Sequence, residues 1–270
     1  MPGSQLLTLL SDFGLQDNYV GVLKGVIAQV NPQLQVVDLT HQIPPQDVAA
    51  ARFSLMSAYA DFPVGTVHVA VVDPGVGSAR RAIAAQIAAG FLVAPDNGLL
   101  SGVLSQTPAI AVVELANPRY WYTPQPSATF HGRDIFAPVG AYLASGVALE
   151  VLGPLIAPED LVQLSFPACT PTDQGIAGSI QAIDHFGNLI TNVPAAAVAG
   201  QSWSIKSGKV TIPSARAYSD IRPGELVGLV GSHGWIEVAV NGGNAQAYLH
   251  WTRGECVQVV FHPSHHTKSS

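Results

Sequence analysis

The segment "TVHVAVVDPGVGSARRAI", Thr66 to Ile83, changes character half-way along its length. Its opening residues are rich in valine, which is typical of a buried strand. Asp73 follows the strand, and a proline, two glycines and Arg80 come shortly after it. In parallel α/β sheets, ligands bind beyond the carboxyl ends of the strands. The segment therefore predicts a strand that carries an acid to such an edge, with a guanidinium close behind.

Strand-like and helix-like patterns alternate through the N-terminal half of the chain. The predicted helices cover residues 17–30, which end before Asn31 and Pro32, and residues 47–62, for which Asp47 is a plausible N-cap. Two further helices are predicted in "GLLSGVL" and in "DIFAPVGAYLASG", where Pro138 suits the first turn. The predicted strands between them are "QLLTLL", "LQVVDLT", "TVHVAVV", "RAIAAQIA", "GFLVAP" and "AIAVVEL". This alternation predicts a mostly parallel sheet with helices on both faces.

The pattern changes after Gly153. A proline-rich stretch reads as a linker, and from Gly175 onward the segments are short, β-rich and punctuated by glycine. We therefore predict an α/β N-terminal domain over 1–155, a linker over 156–174, a smaller antiparallel β domain over 175–262 and a mobile tail over 263–270.

Composition excludes several classes of protein. Hydrophobic residues make up 48% of the chain and charged residues 11%, with a formal net charge of −6. This supports a large core and gives no basic surface for nucleic acid. The apolar runs are too short to span a membrane, and no signal-peptide pattern opens the chain, so we expect a cytoplasmic protein without membrane contact.

Motifs for metals and common cofactors are absent from the sequence. Cys169 and Cys256 lie outside any metal spacing, and buried free thiols are expected in preference to a disulfide. No G-x-G-x-x-G follows the first strand, and the chain has no Walker loop, H-E-x-x-H or G-x-S-x-G. We expect no cofactor and no metal.

Polar side chains gather where the predicted strands end or the next helix begins. Each group also suits an ordinary turn or helix cap, because Asp, Asn and Gly are favoured there. Together they favour a ligand site at one edge of the sheet. The groups are Asp12 with Asp17, Asp73, Asp96 with Asn97, and His131 with Arg133 and Asp134.

Seven blocks of the sequence, between Leu6 and Phe261, carry a resemblance to a known family. The blocks are, in order, "SDFGLQDNYVGVLKGVI", "VVDLTHQIPPQDVAAA", "HVAVVDPGVGSARR", "APDNGLL", "FHGRDIFAPVGAYLASG", "IDHFGNLITN" and "GSHGWIEVAVNGGNA". They resemble the S-adenosylmethionine hydroxide adenosyltransferases. These hydrolases are similar to the fluorinating and chlorinating enzymes that act on the same substrate.

The resemblance implies a reaction and an assembly. Members of the family cleave S-adenosyl-L-methionine with water to adenosine and L-methionine, without a cofactor. They have an α/β domain followed by a β domain and assemble as homotrimers, with the ligand between subunits. The small-molecule substrate is then the expected partner of this chain.

The resemblance also implies site residues. Asp73, Arg80 and His131 match the catalytic set that handles the attacking water. Our hypothesis is that Asp73 accepts and orients the hydrogens of the water, Arg80 keeps Asp73 ionised and favours an anionic nucleophile, and His131 relays the proton outward. The sequence leaves two roles open for His131, that of the general base and that of an orienting group. The substrate-binding positions are Asp12 for the ribose, Asn97 in "APDNGLL", Asp184, Asn188 and Ser232 near the methionine and ribose, and Tyr218 and Asn241 near the adenine.

Two alternatives remain open from the sequence. A halogenating enzyme would form 5′-halo-5′-deoxyadenosine from the same substrate, but its relatives carry other residues at the positions of Asp73 and His131. A non-catalytic nucleoside-binding protein would have no need of a water-activating set. Formation of adenosine, with and without halide, distinguishes all three.

Overall fold

The computed structural model describes residues 5–262, so the predicted tail over 263–270 lies outside the described residues. The chain divides into two compact units, one ending at Leu164 and one beginning at Ser165. The first is an α/β unit and the second an antiparallel β unit, which confirms the predicted fold class. The division falls within the stretch that the sequence marks as a linker, and this stretch also holds the short strand Thr170–Thr172.

The first unit is built on a six-stranded mixed sheet with the strand order β2-β1-β3-β5-β4-β6. Strand β1 pairs in parallel with β2 and β3, and β3 pairs in parallel with β5. Strand β4 runs antiparallel to both β5 and β6. The strands are β1 Leu6–Ser11, β2 Gln35–Thr40, β3 Thr66–Val71, β4 Ala82–Ile87, β5 Gly90–Pro95 and β6 Ala111–Glu114.

Four α-helices accompany this sheet: α1 Tyr19–Val30, α2 Val48–Ala58, α3 Ser101–Gln106 and α4 Ala137–Ala144. Helix α1 packs against α4, and α2 packs against α3. The Asp47 side chain accepts a hydrogen bond from the Ala50 amide at 2.9 Å, which confirms the predicted cap of α2. A five-residue π-helix, Gly132–Phe136, leads directly into α4, and Pro138 lies in the first turn of α4 as predicted.

Strands β1, β3 and β5 point the same way, so their carboxyl ends meet at one edge of the sheet. All six residues of β1 and of β3 are buried, which explains why both read as apolar runs. Asp12, Asp73 and Asp96 follow these three strands directly or within two residues. The sequence-based prediction that one edge gathers these acids is therefore confirmed.

The second unit is an eight-stranded antiparallel sheet in the order β11-β10-β14-β8-β9-β13-β12, with β7 paired to β8. A bridge between Ser214 and Gly228 links its two ends, so the sheet curves into a barrel-like form. Helix α5, Ala245–Leu249, follows β13. The strands are β7 Thr170–Thr172, β8 Gly175–Ile183, β9 Leu189–Pro194, β10 Ser202–Ser207, β11 Val210–Pro213, β12 Leu226–Val230, β13 Trp235–Val240 and β14 Cys256–His262.

Both cysteines lie in this second unit and are unpaired. The expectation that they are buried was wrong, because Cys169 is partly exposed and Cys256 is exposed. Cys256 opens β14, where the strand emerges from a turn, and this position explains its exposure.

Candidate active site

The loop after β3 returns Arg80 to Asp73. Nε of Arg80 donates to Oδ1 of Asp73 at 2.9 Å, and Nη2 of Arg80 donates to Oδ2. The side chains are 11% and 6% exposed, so the pair is largely shielded from water. A guanidinium that meets a carboxylate through two parallel bonds is held in one orientation. The sequence-based expectation that the loop folds Arg80 back onto Asp73 agrees with this geometry.

Glycine is required at one point of this loop. Gly77 has φ +76°, and a Cβ there would lie 2.3 Å from the carbonyl oxygen of Ala128. Ser78 then closes the turn, since its hydroxyl donates to the Gly75 carbonyl at 2.6 Å and accepts from the Arg80 amide at 3.2 Å. The backbone of the loop therefore sets the direction in which Arg80 leaves it.

His131 joins the pair from the residue just before the π-helix. Its Nδ1 lies 2.8 Å from Nη2 of Arg80. A guanidinium has only donors, so Nδ1 must accept, and the proton of the neutral ring is on Nε2. Burial lowers the pKa of His131, and the nearby Arg80 charge lowers it further, against opposing effects of Asp73 and Asp134. His131 is therefore a neutral imidazole that presents an N–H group.

A cavity of about 190 Å³ lies beside this cluster, entirely within the first unit. The carboxylates of Asp12 and Asp73, which follow the neighbouring strands β1 and β3, both line this cavity. Asp73 is the member of the Asp73–Arg80–His131 cluster that lines it, and it contacts Arg80, which in turn contacts His131. The complete lining is Asp12, Phe13, Gln46, Val71, Asp73, Pro74, Val76, Thr129 and Phe130.

The Asp12 carboxylate is oriented by a backbone contact from another loop. Its Oδ2 accepts a hydrogen bond from the Gln46 amide at 2.7 Å. Gln46 has φ +66°, a left-handed conformation that is uncommon outside glycine and costs free energy. Backbone strain of this kind clusters at functional sites. The uncharged residue Gln46 therefore helps, through its backbone, to orient the Asp12 carboxylate at this edge of the sheet.

Asn97 uses both ends of its side chain on the backbone. Its amide nitrogen donates to the Val72 carbonyl at 2.8 Å, and its oxygen accepts from the Leu99 amide at 3.2 Å. This is turn chemistry of the kind weighed from the sequence, and it fixes the residue just before Asp73. Asp96 pairs with Arg81 and accepts from the Val162 amide at 2.9 Å.

In the second unit, Asp184 and Asn188 close the hairpin between β8 and β9. Oδ1 of Asp184 accepts from the amides of Phe186 and Asn188 at 2.9 and 2.8 Å, and Oδ2 accepts from Nδ2 of Asn188 at 2.9 Å. Asn241, after β13, donates from Nδ2 to the Ile221 carbonyl at 2.8 Å. These predicted ligand residues are therefore fixed by local hydrogen bonds.

A buried carboxylate that the sequence analysis missed holds Tyr218. The Tyr218 hydroxyl donates to Oε1 of Glu237, and Oε2 of Glu237 lies 3.1 Å from Nε2 of His233. Burial and the hydrogen bond to Glu237 raise the pKa of Tyr218. Burial acts to raise the pKa of Glu237, but the hydrogen bonds from His233 and Tyr218 outweigh it and the net pKa is lowered. Ser232, next to His233, is exposed.

Within residues 5–262, no group of three or more His, Cys, Asp or Glu side chains is arranged to hold a metal ion. No helix in the same range is long and apolar enough to cross a membrane.

Comparison with known proteins matches both units to one family. The model of the SAM hydroxide adenosyltransferase N-terminal domain matches residues 7–153, and that of its C-terminal domain matches residues 178–258. The chain belongs to the SAM hydroxide adenosyltransferase family. The Asp73–Arg80–His131 cluster and the cavity both lie in the part matched by the N-terminal model, whereas Tyr218 and Glu237 lie in the part matched by the C-terminal model.

Individual relatives in this family carry two different names. The chain is 41% identical to the (R)-S-adenosyl-L-methionine hydrolase of Salinispora tropica, over 94% of this chain and 97% of that protein. It is 30% identical to the fluorinase of Actinoplanes sp., over 71% of this chain and 72% of that one. A solved structure of an uncharacterized conserved protein from Thermotoga maritima superposes with a TM-score of 0.88 at 35% identity, covering 94% and 99% of the two chains.

Proposed function

We propose that this protein is an S-adenosyl-L-methionine hydrolase that converts its substrate and water to adenosine and L-methionine. The observation that carries the proposal is the contact of Arg80 with both Asp73 and His131, at a cavity that also presents Asp12. The relatives with the higher identity over most of the chain carry the hydrolase name, which supports the same reaction.

The substrate makes modest chemical demands on the protein. Its sulfonium departs as a neutral thioether, so no acid is needed at the leaving group. The C5′–S bond breaks with its electron pair going to sulfur, and a C5′–O bond forms with the water. Holding the water in line behind C5′ can lower the barrier by about 7–11 kcal/mol at best. Asp12 suits this positioning role, because one carboxylate can accept hydrogen bonds from both ribose hydroxyls.

We assign a separate role to each residue of the catalytic cluster. Asp73 faces the cavity and can accept a proton of the attacking water, which passes from there to solvent. Arg80 stabilises the negative charge that develops on the water oxygen. His131 has its Nδ1 lone pair engaged by Arg80 and its proton on Nε2. We therefore assign His131 to orientation of the cluster rather than to the relay or the base.

The assembly, the absence of a metal and the compartment belong to the same proposal. A cavity of about 190 Å³ is small for the whole substrate, since ligand pockets usually measure about 300–1,000 Å³. This supports a homotrimer in which another subunit completes the site with Asp184, Asn188, Tyr218, Ser232 and Asn241. The reaction needs no metal, and the two unpaired cysteines suit the reducing cytoplasm.

The test is incubation of the pure protein with S-adenosyl-L-methionine, followed by chromatography. We expect equimolar adenosine and methionine, unchanged by EDTA and by chloride or fluoride. A 5′-halo product that depends on halide would replace the proposal with a halogenase, and tight binding without turnover would replace it with a nucleoside-binding protein. Light scattering after size exclusion should give three times the mass of 28.2 kDa.

A further inference from the structure

A second cluster, of Ser11, His41 and Asp38, lies beside Asp12, and the proposed mechanism does not use it. Oγ of Ser11 lies 2.7 Å from Nδ1 of His41, and Nε2 of His41 lies 3.1 Å from Oδ1 of Asp38. The latter contact is within ion-pair distance but does not have the geometry of a hydrogen bond. Asp38 also accepts from Lys24 at 2.7 Å. Ser11 and His41 are 1% and 3% exposed, so the cluster runs inward from a surface ion pair.

The cluster has the composition of a serine-hydrolase triad but not its accessibility. A nucleophilic serine must reach its substrate, and Ser11 is fully buried at the end of β1. Its hydroxyl instead accepts the amide of Phe13 at 3.3 Å, within its own loop. The arrangement therefore holds a loop in place and does not attack a substrate.

His41 fixes the loop that carries Asp12 at two points. Its ring contacts Ser11, directly before Asp12, and its backbone carbonyl accepts from the Gly14 amide at 2.8 Å, just beyond. The same residue opens the loop that leads to Gln46, whose amide orients the Asp12 carboxylate. Because β2 is the edge strand of the sheet, the loop after it has a neighbouring strand on one side only. The contacts of His41 with Ser11 and Gly14 connect the loop after β2 to the loop that carries Asp12.

We propose that His41, held by Asp38, is a positioning residue that sets the Asp12 carboxylate for recognition of the ribose hydroxyls. The inference rests on the proposed function, and specifically on ribose binding by Asp12. It predicts that His41 acts on discrimination between ribose and deoxyribose substrates, a property that a purely structural contact would leave unchanged.

The test uses two substitutions that each mimic one ring nitrogen. His41→Asn keeps a polar atom near Nδ1 for Ser11, whereas His41→Gln reaches towards Asp38 and loses the contact with Ser11. The measured quantity is the ratio of kcat/KM for S-adenosyl-L-methionine to that for its 2′-deoxy and 3′-deoxy analogues. We expect His41→Gln to reduce this ratio about tenfold, the effect of one lost hydrogen bond, and His41→Asn to stay within about threefold of the wild type.

The matched control is the other buried histidine–hydroxyl pair of the same sheet. Nδ1 of His68 on β3 lies 2.8 Å from Oγ1 of Thr8 on β1, and His68 is 1% exposed. His68→Gln should lower the melting temperature without changing the ratio. A His41→Gln enzyme that keeps the wild-type ratio overturns the proposal, and so does a His68→Gln enzyme that loses it to the same extent.

A second variant covers the case in which His41→Gln does not fold. Asp38 is 35% exposed, so Asp38→Asn is tolerated more readily, and it should reduce the ratio about threefold. An unchanged ratio in a folded Asp38→Asn enzyme also counts against the proposal. If the wild-type protein forms no adenosine, the proposed function fails instead, and the binding ratio of adenosine to 2′-deoxyadenosine, measured by calorimetry, then tests His41 by the same comparison.

Discussion

Arg80 meets Asp73 through two parallel hydrogen bonds, from Nε to Oδ1 at 2.9 Å and from Nη2 to Oδ2. The next residue makes a similar pair, because Nε of Arg81 donates to Oδ2 of Asp96 at 2.9 Å. The two pairs lie at the same edge of one sheet, but Asp73 lines the cavity and Asp96 instead holds the amide of Val162. Two consecutive arginines therefore pair with two different acids. Asp73 can be tested for a role in catalysis, and Asp96 serves as the comparison residue for a role in stability.

Asp73→Asn should lower kcat by about 10²–10⁴-fold, because the amide cannot take a proton from water. Circular dichroism should show an intact fold. Asp96→Asn is the matched control, and it should lower the melting temperature while kcat falls far less. Single-turnover formation of adenosine measures both variants. Equal losses of kcat in the two would show that Asp73 acts only as a loop anchor.

The dependence of kcat/KM on pH should reflect the protonation of His131. Its pKa is lowered from 6.5 by burial and by Arg80, so the neutral form is full above pH 6.5 and is lost as the pH falls through the lowered pKa. A proton on Nδ1 would face the donor of Arg80, so kcat/KM should fall on this acid side. In His131→Asn, the side-chain oxygen can still accept from Arg80 but does not titrate. The same acid limb in this variant would assign it to another group.

Acid stability should depend on His68. Burial lowers the pKa of His68 to about 4, against 6.5 for the free side chain, so the unfolded chain takes up a proton first as the pH falls. The stability is therefore full above pH 6.5 and declines towards pH 4, by up to roughly 3 kcal/mol from this group. Urea unfolding of the wild type and of His68→Asn at pH 7 and pH 4.5 measures how much of the loss of stability is due to His68. An identical decline in both proteins would exclude His68.

Tyr218 and Glu237 should be energetically coupled. Glu237 is 3% exposed, and loss of a partner at a buried acid costs about 1–3 kcal/mol. Tyr218→Phe and Glu237→Gln should each lower the free energy of unfolding, and the double variant should lose about 1 kcal/mol less than their sum. Tyr248→Phe, at a side chain 63% exposed, serves as a control with little expected change. Strict additivity would show that the hydroxyl and the acid contribute independently.

Much of the first unit can be predicted from local patterns. Strands β1 and β3 are buried along their whole length, so their apolar runs are unambiguous. Asp73 and Arg80 are seven residues apart with a proline and glycines between them, so their contact follows from a short loop. The cap at Asp47 was predicted because it depends on a residue only three positions away.

The rest depends on contacts between distant segments. Ser11 and His41 are 30 residues apart, and they meet because β1 pairs with β2, a register that no local pattern specifies. Tyr218, in a turn after β11, and Glu237, on β13, are 19 residues apart, so their contact likewise depends on the tertiary fold. The left-handed conformation of Gln46 could not be expected from a residue that disfavours it. The five-residue π-helix after His131 likewise reads in sequence as part of an ordinary helix.

The reversed direction of β4 has a consequence for engineering of this fold. An antiparallel strand starts where its neighbours finish, so the residues that enter β4, Arg80 and Arg81, arrive at the side where β3 and β5 end. If β4 were parallel to β3 and β5, both arginines would instead lie at the opposite edge of the sheet, one strand length away from the acids. Chimeras that exchange the segment between β3 and β5 should therefore transfer β4 together with the loop before it. If that loop is grafted without the antiparallel strand, Arg80 and Arg81 are separated from Asp73 and Asp96.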